Sequence, residues 1–188
     1  LPSVIVIGNR QARFCTLQDP KPAAACGRVL STGFTEAEKK EIVNEHNQLR
    51  QYVATGRETF GKPGPQPAAA EMKNLSWDEE LAKLAQRWAN QCQSGYDDCR
   101  DVDRFAVGQS VVYSAAWWTE YKRLAQKIRV MIVNRPNYDG KHYIQLVWGD
   151  TQKVGCGKIV YKKTTNWVVC NYGPSGNRVG QPIYKALK

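Results

Sequence analysis

The stretch Lys158-Ile159-Val160-Tyr161-Lys162-Lys163-Thr164-Thr165-Asn166-Trp167-Val168-Val169-Cys170 decides the fold class. Its two ends are rich in β-branched and aromatic residues, which suit a pleated, half-buried surface. The link Lys162-Lys163-Thr164-Thr165 is short enough to join them as an antiparallel hairpin. Upstream, His142-Tyr143-Ile144-Gln145-Leu146-Val147-Trp148 has the same composition and reads as another strand. Earlier in the chain the pattern is helical. Thr35-Glu36-Ala37-Glu38 is a Ser/Thr-x-x-Glu capping box. Behind it Ile42, Val43, His46, Leu49, Tyr52 and Val53 share one helical face to about Ala54, with Gly56 as the stop signal. His46 on that face reads as a hydrogen-bonded core residue. Ser76-Trp77-Asp78-Glu79 is a second capping box and opens a helix to about Cys92, with Leu81, Leu84, Ala85, Trp88 and Cys92 as its buried stripe. A third helical candidate runs from Ala115 to about Met131 and is ended by Asn134-Arg135-Pro136. Helices first and strands last, without β-α-β alternation, indicate an α+β fold with an antiparallel sheet.

The 188 residues suit one domain. An apolar fraction of 42% with six Trp, nine Tyr and four Phe excludes a disordered chain. The longest apolar runs are short (Val4 to Ile7, Val111 to Tyr113, Ala115 to Trp118), so no membrane span is expected. The chain opens on Leu1 without a basic n-region or an apolar h-region, which suits a processed, mature product. Residues 1–33 carry Cys15, Cys26, Pro20 and Pro22 and read as an irregular arm stapled to the body, with Val4 to Ile7 as a candidate edge strand. Residues 34–188 read as a single domain, interrupted by the Gly/Pro loop 61–67 and a polar stretch at 94–110 with Gly95 and Gly108 as breakers.

The six cysteines are Cys15, Cys26, Cys92, Cys99, Cys156 and Cys170, widely spaced and without a C-x-x-C pair. With only two histidines in the chain, Cys/His zinc sites and thioredoxin-like motifs have little support. Three structural disulfides of a secreted protein are expected, and the spacing leaves all of the roughly 15 pairings open. Asn74-Leu75-Ser76 is a sequon and makes Asn74 a candidate glycosylation site. The net charge of +10 implies attraction to anionic surfaces. Residues 151–188 hold seven basic and no acidic side chains, so Lys158, Lys162 and Lys163 are candidate contacts for an anionic polysaccharide. Most of the charge is spread along the chain, as on an ordinary solvated surface.

Several motifs occur together and in order. They are Glu45-His46-Asn47-Gln48-Leu49-Arg50, Pro63-Gly64-Pro65-Gln66-Pro67, Leu75-Ser76-Trp77 and Ala85-Gln86-Arg87-Trp88-Ala89-Asn90-Gln91-Cys92. Val107-Gly108-Gln109, the segment 142–148, Val154-Gly155-Cys156-Gly157 and Cys170-Asn171-Tyr172-Gly173-Pro174-Ser175-Gly176-Asn177 complete the set. Over roughly residues 15–184 the chain resembles the superfamily of cysteine-rich secretory, antigen 5 and pathogenesis-related proteins. Within it, the insect antigen 5 branch of venom allergens and salivary relatives is the most similar.

The resemblance implies a three-layer α-β-α sandwich with a central antiparallel sheet. It implies the pairings Cys15–Cys99, Cys26–Cys92 and Cys156–Cys170. It also implies a cleft that in many members holds a divalent metal between two histidines and two acidic residues. Carried onto this sequence, the cleft positions are Tyr96, Gln109, Glu120 and His142. Tyr96 stands where the family has a histidine, and Gln109 where it often has an acid. One imidazole and one carboxylate, His142 and Glu120, are too few for a tight zinc site, so no bound metal and no cofactor are expected. Ser110 beside His142 and Glu120 lacks a Gly-x-Ser-x-Gly elbow and an evident oxyanion hole, so catalysis is not expected. Ser110 to Ala116 form a shorter connection than the family's, which leaves Tyr113, Trp117 and Trp118 as candidates for a lipid groove. The reading is therefore a non-enzymatic, secreted, allergenic protein of venom or saliva. It acts as a monomer by binding a host protein, lipid mediator or anionic polysaccharide, with no nucleic-acid partner. A carrier of a small hydrophobic ligand is the first alternative, and a metal-dependent enzyme or redox protein the second.

Overall fold

The structure is a computed structural model that describes residues 21–59, 65–114, 141–161 and 165–187. Its elements, after a 3-10 turn at Ala24–Cys26, are β1 (Val29–Thr32), α1 (Glu36–Ala54), β2 (Ser76–Trp77), α2 (Glu79–Ala89), β3 (Gly108–Ser114), α3 (Lys141–Leu146), β4 (Lys153–Tyr161) and β5 (Thr165–Gly173). The hairpin β4–β5 is the centre of the sheet. Its register places Cys156 opposite Cys170 and Tyr161 opposite Thr165. β5 carries β3 antiparallel on its other edge, Gly108 opposite Tyr172 through Ser114 opposite Asn166. The free edge of β4 is shared: β1 pairs antiparallel near Ile159–Tyr161, and the two residues of β2 pair parallel at Lys153–Val154.

Successive side chains of a strand point to opposite faces, and both faces of β4–β5 are covered. On one, Ile159, Tyr161, Trp167 and Val169 pack against Ala85, Trp88 and Ala89 of α2. On the other, Val154, Cys156, Val168, Cys170 and Tyr172 pack against Ile42 of α1 and against Leu75. This is the expected three-layer α-β-α sandwich. Gly155 and Gly157 set the first of these contacts. A Cβ on Gly155 would lie 2.3 Å from the Ala82 nitrogen, and one on Gly157 would lie 2.3 Å from the Gln86 Cα. Without side chains there, α2 rests directly on the β4 backbone.

The α1 capping box is present as expected: Thr35 Oγ1 accepts from the Glu38 amide and the Glu38 carboxylate accepts from the Thr35 amide. The second helix starts later than expected. Asp78, not Ser76, is its N-cap, accepting from the Leu81 amide at 3.0 Å. Ser76 and Trp77 are instead drawn into β2 by pairing with β4. The arm is also less irregular than expected, since Val29–Thr32 forms strand β1. The candidate strand at Val4 to Ile7 lies outside the described residues.

The largest correction concerns 142–148. Helix α3, not a strand, takes up this stretch to Leu146, with Val147 and Trp148 in the turn behind it. The buried residues Tyr143, Leu146 and Val147 are spaced i, i+3, i+4 and meet Leu49 and Val53 of α1 together with Met72. Helical packing against α1 overrides a β-rich composition. The reverse error occurs at β3, whose seven residues fall where the sequence suggests a polar stretch and a connecting loop.

Two bridges are described, Cys26–Cys92 and Cys156–Cys170. Cys99 is also disulfide-bonded; Cys15, its implied partner, lies outside the described residues. Among the described residues no helix is long and apolar enough to cross a membrane.

Candidate functional site

The cleft residues come from three elements, each held by backbone contacts behind it. Tyr96 follows α2 in a turn at Gly95, whose φ is +96°. The turn is fastened on both sides of the phenol. Trp88 Nε1 donates to the Gly95 carbonyl at 3.1 Å, and the Asp97 carboxylate, itself buried, pairs with Arg87 at 2.6 Å and accepts from the Cys99 amide at 2.8 Å. The Tyr96 side chain stays 48% exposed in this fixed frame.

Gln109 lies on β3 and is buried. Its Oε1 accepts from the Asp97 amide at 2.8 Å, and its Nε2 donates to Asn171 Oδ1 at 2.8 Å. Asn171 in turn donates to the Leu81 carbonyl at 3.3 Å. Gln109 therefore ties the Tyr96 loop to β5 and, through Asn171, to α2, with one bond at each end of its amide.

His142 stands on the first turn of α3. That helix lies close against β3 because Gly108 has no side chain: a Cβ there would sit 1.9 Å from Gln145 Oε1. The buried Gln145 side chain accepts from the Gly176 amide at 2.9 Å and donates to Thr151 Oγ1 at 3.2 Å, which locks the helix in place. Three residues before Gln145, His142 is thereby brought to Tyr96, with ring centroids 6.3 Å apart and planes tilted by 42°. The structure thus sets Tyr96 beside His142, with Gln109 bonded to the amide that follows Tyr96. Glu120, Trp117 and Trp118 lie outside the described residues. Tyr113 is on β3 opposite Trp167, in a strand and not a free connection. Gln145 is the positioning residue that sequence reading missed; read as a strand, 142–148 gave no signal that Gln145 and His142 lie one helical turn apart.

A metal between these groups finds a poor donor set. Tyr96 offers a phenol, Gln109 an amide already engaged, and His142 one imidazole. Among the described residues no three His, Cys, Asp or Glu side chains cluster as a cation would need. The three described cleft residues do not by themselves fit the family's metal; Glu120, the fourth position, lies outside the described residues, and no chemistry is routed through a metal here. Ser110 is buried on β3 opposite Cys170.

The second histidine is structural. His46 is fully buried in α1. Its Nδ1 lies 2.7 Å from the Ile42 carbonyl, so the proton is on Nδ1, and Nε2 accepts from the Tyr172 hydroxyl at 3.0 Å. Burial, helped by the nearby Arg50 charge, pushes its pKa down to about 4. Burial likewise pushes the Tyr172 phenol up.

The anionic-surface candidates fare unevenly. Lys158 Nζ pairs with Glu38 at 2.7 Å and sits 4.8 Å from the Phe34 ring centroid, so its ammonium is already committed. Lys162 and Lys163 lie outside the described residues. Asn74 is exposed ahead of β2.

Residues 43–172 match the cysteine-rich secretory protein family, CAP. The chain belongs to the CAP family. Its curated relatives within CAP include Venom allergen 3 of Solenopsis invicta, 44% identical over 93% of this chain and 83% of that protein. Venom allergen 5 of Brachyponera chinensis is 43% identical over 95% and 99%. Among solved CAP-like structures, that of NaASP2 with Zn2+ superposes with a TM-score of 0.71 at 26% identity, covering 83% of this chain and 89% of that one. The venom allergen-like protein 4 of Schistosoma mansoni gives a TM-score of 0.60 at 29% identity, over 82% and 97%. The zinc belongs to the former protein; the present CAP cleft has Tyr96 and Gln109 in its donor set.

Proposed function

We propose that this CAP protein is a secreted, non-enzymatic venom component that acts by binding host molecules at the face carrying Tyr96 and His142. The relatedness to venom allergens supports the extracellular setting. The observation that carries the binding reading is the division of labour in the cleft. Gln109, where a carboxylate would serve as base or ligand, is consumed in holding the loop, while Tyr96 is presented half-exposed on a rigid frame. A fixed aromatic side chain with a polar tip contributes strongly to association, because little entropy is lost when it docks.

The test has two arms. In the first, the secreted protein is immobilised and exposed to host plasma proteins, lipid mediators and heparin. Tyr96→Ala should weaken the bound component at least about tenfold with unchanged circular dichroism, in line with an aromatic anchor. Unaltered binding by the variant, or substrate turnover that is lost in His142→Ala, contradicts the proposal. In the second, zinc is titrated calorimetrically. Tyr96→His should bind zinc more tightly than the parent, since it sets a second imidazole facing His142. Tight zinc binding by the parent that disappears in His142→Ala contradicts the donor-set argument.

A further inference from the structure

Asn74-Leu75-Ser76 falls at a place on the surface that fits a sugar. Asn74 is exposed, and α1 reaches it through Gln51, whose Nε2 donates to Asn74 Oδ1 at 2.9 Å. That contact uses the carbonyl oxygen of the side chain and leaves Nδ2, the atom of a glycosyl linkage, outside it. Ser76, two residues on, is also exposed at the start of β2, where its hydroxyl accepts from Lys153 Nζ at 3.0 Å. Leu75 between them is buried and doubly bonded to Asn47, whose Oδ1 accepts from the Leu75 amide at 2.7 Å and whose Nδ2 donates to the Leu75 carbonyl at 2.9 Å. The sequon is thus pinned at its middle residue with both functional ends outward.

The neighbouring surface is concave. A groove of about 540 Å³ lies along α1 and is lined by Val43, Asn44, Asn47, Leu75, Ser76 and Trp77, among others. It continues the line of the sequon itself, since Leu75 and Ser76 form part of its wall. The lining interleaves aliphatic and indole surface with amides, a hydroxyl and the charged Glu36, Lys39 and Lys40, which suits the alternating apolar and hydroxylated faces of a pyranose ring.

We infer that Asn74 carries an N-linked oligosaccharide, its innermost N-acetylhexosamine seated at the end of the α1–β2 groove. The inference rests on the secreted setting, where the lipid diphosphate-linked oligosaccharide donor is available. In the transfer, Asn74 Nδ2 forms a bond to the anomeric carbon of the first sugar. The bond from that carbon to the diphosphate oxygen breaks, the isoprenoid diphosphate leaves, and one Nδ2 proton goes to base. The Gln51 contact to Oδ1 survives, because the linked side chain is still an amide.

The experiment is intact-mass and glycopeptide mass spectrometry of the full chain secreted from insect cells. The parent should exceed its sequence mass of 21.2 kDa by one oligosaccharide, located on the peptide containing Asn74. Asn74→Gln and Ser76→Ala should each return to the peptide mass. Ser76→Ala keeps the Asn74–Gln51 bond, and Ser76→Thr, which preserves the sequon, should keep the sugar. A parent found at its sequence mass, or one whose added mass persists in Asn74→Gln, overturns the assignment. Neither result bears on host binding through Tyr96, so the two proposals fail separately.

Discussion

His46 and Arg50 stand one turn apart on α1 and illustrate two ways of burying a titratable side chain. His46 stays neutral, its pKa pushed down to about 4 by burial and the Arg50 charge. In the unfolded chain an imidazole titrates near 6.5. Between those values the unfolded state takes up a proton that the native state refuses, so this contribution to stability is full above about pH 6.5 and is lost as pH falls toward 4. The loss should reach about 2 kcal/mol between pH 7 and pH 5, read as a fall in urea midpoint, and His46→Gln should flatten that slope. Arg50 stays charged although none of its surface is exposed. Burial lowers it to about 10. Its guanidinium donates to the carbonyls of Lys73, Leu146, Trp148 and Thr151 at 2.7 to 3.1 Å, which stitches α1 to the chain on either side of β2 and α3. Arg50→Met should cost about 3–5 kcal/mol in denaturant unfolding, because four buried carbonyls lose their donor. Arg50→Lys should not rescue it, since an ammonium cannot span that fork.

Among the elements, α2 shows how tertiary pairing moves a boundary that local sequence leaves ambiguous. Ser76 and Asp78 are both good capping residues, and Glu79 three after Ser76 favours the former. The structure makes Asp78 the cap: its amide donates to the Val154 carbonyl at 2.9 Å, so the chain leaves β4 one residue after Trp77, and its carboxylate accepts from the Leu81 amide. Asp78→Ala should therefore lower stability by about 1 kcal/mol, and Ser76→Ala, made in protein free of glycan, by a few tenths at most. A thermal melt of the two variants separates the readings, and equal losses would restore Ser76 as the cap. For α3 the local signal was misleading in type. Tyr143, Ile144, Val147 and Trp148 are strand formers, yet three of the buried positions repeat with helical spacing over α1. β3 was missed for the opposite reason. Only Val111-Val112-Tyr113 stands out within it, and the ladder to β5 supplies the rest.

At the scale of the whole molecule, the covalent and polar ties cross between layers. Cys26–Cys92 joins the segment before β1 to the end of α2 across 66 residues, and Cys156–Cys170 staples the central hairpin across 14. On a chain-entropy argument the first is worth roughly 4 kcal/mol and the second about 3 kcal/mol. Replacing Cys26 and Cys92 together by Ser should accordingly give the larger drop in melting temperature. Replacing Cys156 and Cys170 should give the smaller, and a reversed order would mean that native packing around Cys156 outweighs loop closure. Lys158 to Glu38 and Lys39 to Glu79 add ion pairs between β4 and α1 and between α1 and α2. Of the hairpin lysines among the described residues, Lys158 is therefore committed to α1 and does not present a free ammonium.

What the sequence by itself determined was whatever depends on near neighbours and on a long ordered set of motifs. The capped α1 with His46 on its buried face, the β4–β5 hairpin and the α+β class were all legible from spacing. The family was legible from resemblance, on its ordered set of motifs. Only the tertiary structure decided that 141–146 is a helix, that 108–114 is a strand, and that Gln109 ties the Tyr96 loop to β5. Each of these depends on contacts between residues far apart in the chain: Tyr143 with Leu49, Gly108 with Gln145 and Tyr172, Gln109 with Asp97 and Asn171. A side chain's chemistry can be read from its letter. Whether its polar atoms are free to act is settled by which distant backbone has already claimed them.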